Sequence, residues 1–251
     1  MEKFTFRDRY TIDDLLSIMA ILRAPGGCPW DAEQSHESIK KDFIEETYEV
    51  IEAINKKDKV LLEEELGDAL LQVVFHCEIE RAEGSFDFSN VTDGICKKLI
   101  ERHPHVFGEV KVSGTDEVLS NWDDIKRKSK NQKTQGSSML KVPKELPALM
   151  RAQKIQSKAK KAGFDWDDMS GAFDALESEI RELKQAIAEK NQEYIEEELG
   201  DVLFSAVNIS RFIGVDSEEA LTKSNEKFIT RFLEVERLAA ERSIDMKNTS
   251  I

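Results

Sequence analysis

Apolar residues recur along this chain at spacings of three and four, and strand-like alternation is scarce, so the pattern predicts helices almost throughout. Residues 11–23 are amphipathic and stop at Ala24-Pro25-Gly26-Gly27, a strong breaker. Further helices are expected over 38–55, 59–83 and 91–102, then over 146–162, 172–190, 193–212 and 218–240. Asp216, three residues before Glu219, is the expected N-cap of the last. Phe43, Val50 and Ile54, with Thr47 in line, define the expected buried stripe of the 38–55 helix. Phe173, Leu176, Ile180, Leu183 and Ile187 define that of the 172–190 helix. Residues 66–77 are apolar nearly all round, which predicts a buried central helix.

The pattern is written twice. Leu62-Glu63-Glu64-Glu65-Leu66-Gly67-Asp68 returns as Ile195-Glu196-Glu197-Glu198-Leu199-Gly200-Asp201, 133 positions later. The same shift carries Glu46 onto Glu179 and Glu49 onto Glu182, and Trp30-Asp31 has a counterpart in Trp166-Asp167. Lys98 and Arg102 share the spacing of Lys227 and Arg231. The expected organisation is a helical domain over 1–125, a basic polar linker over 126–145 and a second helical domain over 146–251. The linker run KRKSKNQKTQGSS reads as a solvated tether, with phosphate binding as the alternative.

Composition narrows the function. Of the residues 34% are charged and only 5 are proline, which suits a soluble helical protein. The longest apolar run, 69–75, is interrupted by Gln72 and falls far short of the roughly 18 residues a membrane span needs. MEKFTFRDRY lacks the apolar core of a signal peptide. Cys28, Cys77 and Cys96 match no paired metal spacing and read as reduced thiols, so a cytoplasmic location is expected. The net charge of −14 argues against nucleic-acid or membrane partners. A small phosphorylated ligand stays possible, since cations bridge acidic groups and phosphate oxygens.

The acids supply the candidate chemistry. Residues three apart share a helix face, as do Glu46 with Glu49, Glu65 with Asp68, Glu179 with Glu182 and Glu198 with Asp201. Glu46 and Glu49 lie to one side of the expected stripe, whereas Glu45 and Glu52 point away. A lone pair of this kind is usually solvated surface. Here Glu65 and Asp68 border a helix expected to be buried, where an uncompensated carboxylate is costly. Two helices that each present a carboxylate pair can converge on one hard cation, which favours Mg²⁺, with Mn²⁺ also suitable. The Glu-x-x-His of di-iron bundles is absent from both copies. Lys98 with Arg102, and Lys227 with Arg231, can each face a phosphate chain or simply be solvated. His103 and His105 in HPHVFG read as a helix-ending turn, Trp30 and Trp166 as packing residues, and Trp122 finds no place.

These motifs resemble the MazG family of nucleoside triphosphate pyrophosphohydrolases. The resemblance rests on GGCPWD, EETYEV, EEELGDALLQVVFH, ERHPHVFG and NWDDIK in the first copy, and on GFDWD, EEELGDVLF and NEKFITRF in the second. The family motif Glu-Glu-x-x-Glu, a spacer, then Glu-x-x-Asp is complete at Glu45, Glu46, Glu49, Glu65 and Asp68. In the second copy Ser178 stands where Glu45 has its counterpart, and Glu179, Glu182, Glu198 and Asp201 remain. The resemblance implies an all-α fold of two tandem MazG-like domains whose four-helix-bundle cores are completed by a homodimer. It implies hydrolysis of NTPs or dNTPs to the monophosphate and pyrophosphate with Mg²⁺ held by the eight acids. Glu46, Glu49, Glu179 and Glu182 are the implied catalytic residues, one acid or the metal readying a water. Lys98, Arg102, Lys227 and Arg231 would offset charge on the phosphates, and Asn225 would touch the nucleotide. Two other classes fit the same acids: a helical nucleotide sensor without turnover, and a protein-interaction module.

Overall fold

The structure is a computed structural model that describes residues 4–115, 117, 118, 121, 122, 125 and 135–248. Regular structure among them is entirely helical. The chain divides into two compact units, Met1–Ile125 and Lys126–Ile251.

In unit 1, α1 (Ile12–Arg23), α2 (Pro29–Glu33), α3 (His36–Lys56), α4 (Lys59–Glu83), α5 (Phe88–Arg102) and α6 (Pro104–Phe107) follow one another. Asp14 accepts from both the backbone N–H and the hydroxyl of Thr11, which closes the start of α1 at 2.8 and 2.9 Å. The breaker ends α1 at Arg23, as expected. The Arg23 guanidinium then holds the following loop, donating to the carbonyls of Asp31 and of Gln34 and lying over the Phe75 ring at 5.1 Å. α3 and α4 form an antiparallel hairpin. Lys57, in the left-handed region at φ 57°, turns the chain, and the Asp58 carboxylate caps α4 by accepting from the N–H groups of Val60 and Leu61. Met19, Ile39, Val74, Phe75 and Ile79 form the core beneath α1. His36, His76 and Glu80 pin the start of α3 to the end of α4, with His36 Nδ1 2.7 Å from His76 Nδ1 and His36 Nε2 2.8 Å from Glu80 Oε1. Burial, followed by the neighbouring His36, pulls the His76 imidazole below its ordinary value.

Unit 2 repeats the plan with α7 (Gln135–Met139), α8 (Ala148–Lys161), α9 (Met169–Glu189), α10 (Gln192–Phe212) and α11 (Ser217–Glu241). Lys190, at φ 55°, and Asn191 reproduce the turn and cap between α9 and α10. Asp216 caps α11 as expected, accepting from the Glu219 N–H at 2.9 Å. Gln153 and Met150 tie α8 to the start of α11 through Val215, Ser217 and Glu218. Bidentate pairing of Arg211 with Asp165 fastens the GFDWD loop to α10.

Several expectations need correction. Residues 126–134 of the expected linker lie outside the described residues, but 135–145 is no open tether. α7 packs on α8, where Ser138 and Val142 are buried, because this polar run still supplies apolar anchors. The 66–77 segment is not buried all round: Leu66 is 53% exposed, and Leu70 on the same side is also open. Its hairpin partner, α1 and the start of α5 cover parts of α4 without enclosing it. The buried line of α3 is Ile39 and Ala53 with half-buried Phe43, Glu46 and Val50, which leaves Thr47 and Ile54 outside. In α9 it is Ala172 and Ala186 with half-buried Leu176, Glu179 and Leu183, while Phe173 and Ile187 are exposed. Trp30 is mostly exposed, whereas Trp166, half exposed, packs as expected, so close to Gly171 that a Cβ there would meet its ring at 2.8 Å. Residues 104–107 form a short helix rather than a turn.

Burial acts to raise the Asp165 carboxyl, yet the Arg211 guanidinium holds it below the ordinary aspartate value. A depressed carboxyl stabilises the folded state above its ordinary pKa, and that contribution is lost as pH falls through the folded value. Arg211→Met is therefore expected to destabilise unit 2 by about 1 kcal/mol at neutral pH. Calorimetry of the variant against the parent, with the difference shrinking below about pH 4, checks both the size and the sign.

Candidate functional site

The hairpin turn sets where the acids meet. Counted from Lys57, Glu46 and Asp68 lie eleven residues away on opposite strands of the hairpin, and Glu49 and Glu65 lie eight away. At 1.5 Å per residue both pairs stand at matched heights, about 16 and 12 Å from the turn. Counted from Lys190, Glu179 and Asp201 share the first height, and Glu182 and Glu198 the second.

The side chains follow that register. One oxygen each from Glu46, Glu49 and Glu65 lies within 4.8 Å of the others, and the same holds for Glu179, Glu182 and Glu198. Asp68 and Asp201 complete the two groups electrostatically, since each raises the carboxyls across from it. Desolvation raises Glu46 most, and Asp68 and Glu49 add to it; desolvation also leads for Glu65, followed by Glu49. Glu179 and Glu198 are raised by desolvation and then by Glu182. Glu65 is only 9% exposed, so water screens this repulsion poorly at the inner edge of the cluster. Glu52, expected to point away, does so and pairs with Lys56 at 2.7 Å.

The clusters differ at one contact. In unit 1 Glu49 has an oxygen within 4.8 Å of those of Glu46 and Glu65, and Glu45 stands one turn before it. In unit 2 the Ser178 hydroxyl donates to Glu182 Oε1 at 2.9 Å. A set of carboxylate oxygens drawn together against their own repulsion, without imidazole or thiolate among them, fits a hard divalent cation.

The expected phosphate-facing residues are not brought to the acids within a unit. Lys98 is exposed on α5, and Asn225, Lys227 and Arg231 are exposed on α11. Among the described residues none of these is joined to the carboxylates by a hydrogen bond or an ion pair. Arg102 lies over the Trp122 ring at 5.4 Å, which gives Trp122 the place the sequence could not assign. Phe88, the first residue of α5, packs on the core beside α4, whereas Ser217, the first residue of α11, is bonded to Gln153 of α8. His103 and His105 lie ring to ring at 5.7 Å, and His103 Nδ1 donates to the Leu99 carbonyl, so neither belongs to the acid cluster. His36, His76 and Glu80 form a titratable group that the sequence did not single out, because the three are far apart in the chain and carry no repeat partner in unit 2.

Comparison with known proteins places these hairpins in context. The family model described as the MazG nucleotide pyrophosphohydrolase domain matches residues 34–107 and 170–235, so each matched segment encloses one cluster. The chain is 45% identical to a nucleoside triphosphate pyrophosphohydrolase of Escherichia coli (strain K12) over 245 residues, 96% of this chain and 92% of that protein. It is 44% identical to the nucleoside triphosphate pyrophosphohydrolase/pyrophosphatase MazG of Thermotoga maritima, over 95% of this chain and 91% of the relative. The YabN protein of Bacillus subtilis is 46% identical across 94% of this chain, which spans 48% of that longer protein.

Raised carboxyls oppose folding when ionised. Their stabilising contribution is full below the ordinary glutamate value of 4.5 and is lost as pH rises through the folded value. The metal-free protein is therefore expected to gain thermal stability as pH is lowered from 7.5 towards 5.5. Glu65→Gln and Glu198→Gln should each raise its melting temperature at pH 7.5 and flatten that dependence, as read by scanning calorimetry in chelator.

Proposed function

The chain belongs to the MazG nucleotide pyrophosphohydrolase family, and on that premise we propose how its two carboxylate hairpins carry out nucleoside triphosphate pyrophosphohydrolysis. The protein is an enzyme of this class. The observation that carries the reading is the convergence of carboxylates across each hairpin, inside each family-matched segment.

In this reading Glu46, Glu49, Glu65 and Asp68 hold Mg²⁺ in unit 1, and Glu179, Glu182, Glu198 and Asp201 hold it in unit 2. Mn²⁺ suits the same oxygens. When bound, the cation offsets phosphate charge and polarises the α-phosphoryl group towards attack. Glu46, Glu49, Glu179 and Glu182 are the residues assigned to the chemistry. One carboxylate of each set orients a water and accepts its proton as the water oxygen bonds to the α-phosphorus. The bond between the α-phosphorus and the bridging oxygen breaks, and pyrophosphate leaves with the bridging oxygen. Each side of the hairpin thus keeps a role: α3 and α9 supply acids that handle water, and α4 and α10 supply the inner wall.

In this reading the cationic residues come to the phosphates from a second chain. Phe228, Ile229, Phe232, Leu233 and Val235 are exposed along α11, interleaved with Lys227 and Arg231. Leu199, Leu203 and Phe204 on α10 are open as well. A run of apolar side chains of this extent marks an interaction surface. We assign it to a homodimer that completes each helical bundle and carries Lys227, Arg231 and Asn225, and by the same logic Lys98 and Arg102, to the phosphates. No helix among the described residues is long and apolar enough to cross a membrane. A cytoplasmic enzyme acting on free nucleotides, without nucleic-acid or membrane partners, is the setting this reading favours.

Pyrophosphate release from mixed dNTPs and NTPs with Mg²⁺ tests the chemistry. Glu49→Gln and Glu182→Gln together are expected to reduce turnover by at least about 100-fold, on the order of 3 kcal/mol in barrier. The single variants apportion activity between units, and full activity in the double variant rules the site out. Excess chelator should abolish turnover and restored Mg²⁺ recover it. For the interface, Phe228→Asp with Phe232→Asp should convert a dimer to a monomer in light scattering and abolish activity, while the helical circular dichroism persists.

A further inference from the structure

The two clusters share one backbone plan but differ in how the middle acid of α3 and α9 is held. In unit 1 the position one residue before the first acid is Glu45, whose charge adds to the repulsion on Glu46. Glu49 there has an oxygen within 4.8 Å of those of Glu46 and Glu65, with no hydroxyl one turn before it. In unit 2 that position is Ser178, one helical turn before Glu182. Its Oγ donates to Glu182 Oε1 at 2.9 Å, and one oxygen from each of Glu179, Glu182 and Glu198 still falls within 4.8 Å of the others. A hydroxyl donor fixes the rotamer of a long, partly solvated side chain without neutralising it, and it uses only one of the two carboxylate oxygens. The replacement also removes one negative charge from the row.

We propose that Ser178 is a positioning residue of the second site: its hydroxyl holds the Glu182 carboxylate in register with Glu179 and Glu198 for the divalent cation. Ser178 touches neither substrate nor cation and acts through Glu182. Unit 2 thereby gathers its acids with a neutral donor where unit 1 has a fifth carboxylate. The inference rests on the metal-dependent reading given above.

The test uses the full-length chain carrying Glu49→Gln, so that unit 1 is silenced and unit 2 is read alone. Mn²⁺ binding by calorimetry, the Mg²⁺ dependence of pyrophosphate release and the melting temperature are measured for Ser178→Ala, Ser178→Thr and Glu182→Gln. Ser178→Ala is expected to weaken Mn²⁺ binding about fivefold, below the range for well-buried outer partners because both side chains are partly solvated. The Mg²⁺ needed for half-maximal rate should rise by the same factor, with kcat at saturating Mg²⁺ little changed. Alanine favours a helix more than serine does, so a weaker helix cannot account for the loss. Ser178→Thr, which keeps the hydroxyl, should restore both constants. Glu182→Gln should remove binding in unit 2. Parent-like Mn²⁺ affinity in Ser178→Ala, with binding lost in Glu182→Gln, overturns the role of Ser178 and leaves the metal reading standing. Undiminished binding in Glu182→Gln overturns that reading, and this inference with it.

Discussion

The left-handed lysine at each hairpin turn is the constraint on which the sites depend. Lys57 and Lys190 end one helix and reverse the chain, and a side-chain cap on the next residue restarts it at once. A turn this short leaves no freedom in the register of the antiparallel helices. Glu46 must then stand beside Asp68, and Glu49 beside Glu65, with the same pairing in unit 2. Moving the turn by one residue would rotate the acids of α4 or α10 by about 100° and scatter the cluster. For a non-glycine residue the left-handed conformation costs on the order of 1 kcal/mol. Packing of the two helices along their length offsets it.

That geometry gathers like charges in a partly dry place, which a fold optimised for stability alone would avoid. The raised carboxyls of Glu46, Glu65, Glu179 and Glu198 record the opposition. Stability must come from elsewhere in each unit. The apolar core under α1 lies towards the far end of the α3–α4 hairpin from its turn. In unit 2 the Arg211–Asp165 pair secures the connecting loop to α10. Electrostatic opposition and structural support are thus separated along the same helices.

The fold class was legible in the sequence because helical periodicity and capping are local. Asp216, the breaker at Ala24-Pro25-Gly26-Gly27 and most helix limits follow from neighbouring residues alone. The candidate acids were legible for a different reason: the same letters recur at one shift, and an i, i+3 pair shares a face in any helix. Burial was read less well. Leu66, Leu70, Thr47 and Ile54 were expected in the interior, yet apolar character states only that a residue can be covered, not that its own unit covers it. Trp166 illustrates the same limit, since its ring finds Gly171 and still remains half open.

The sequence by itself determined that the chain is helical, that it is duplicated, and which eight carboxylates recur as pairs on helix faces. Each of these follows from spacing within a single element. Tertiary structure decided the rest. It chose which faces of α4 and α10 are covered, seated Arg102 on Trp122, and left Lys227 and Arg231 exposed on α11. It also gathered the repeated carboxylate pairs into two clusters, and in the second it set the Ser178 hydroxyl on Glu182 where the first has Glu45. The reason is physical: a helix face is set by residues three and four apart, whereas what that face meets is set by elements tens of residues away.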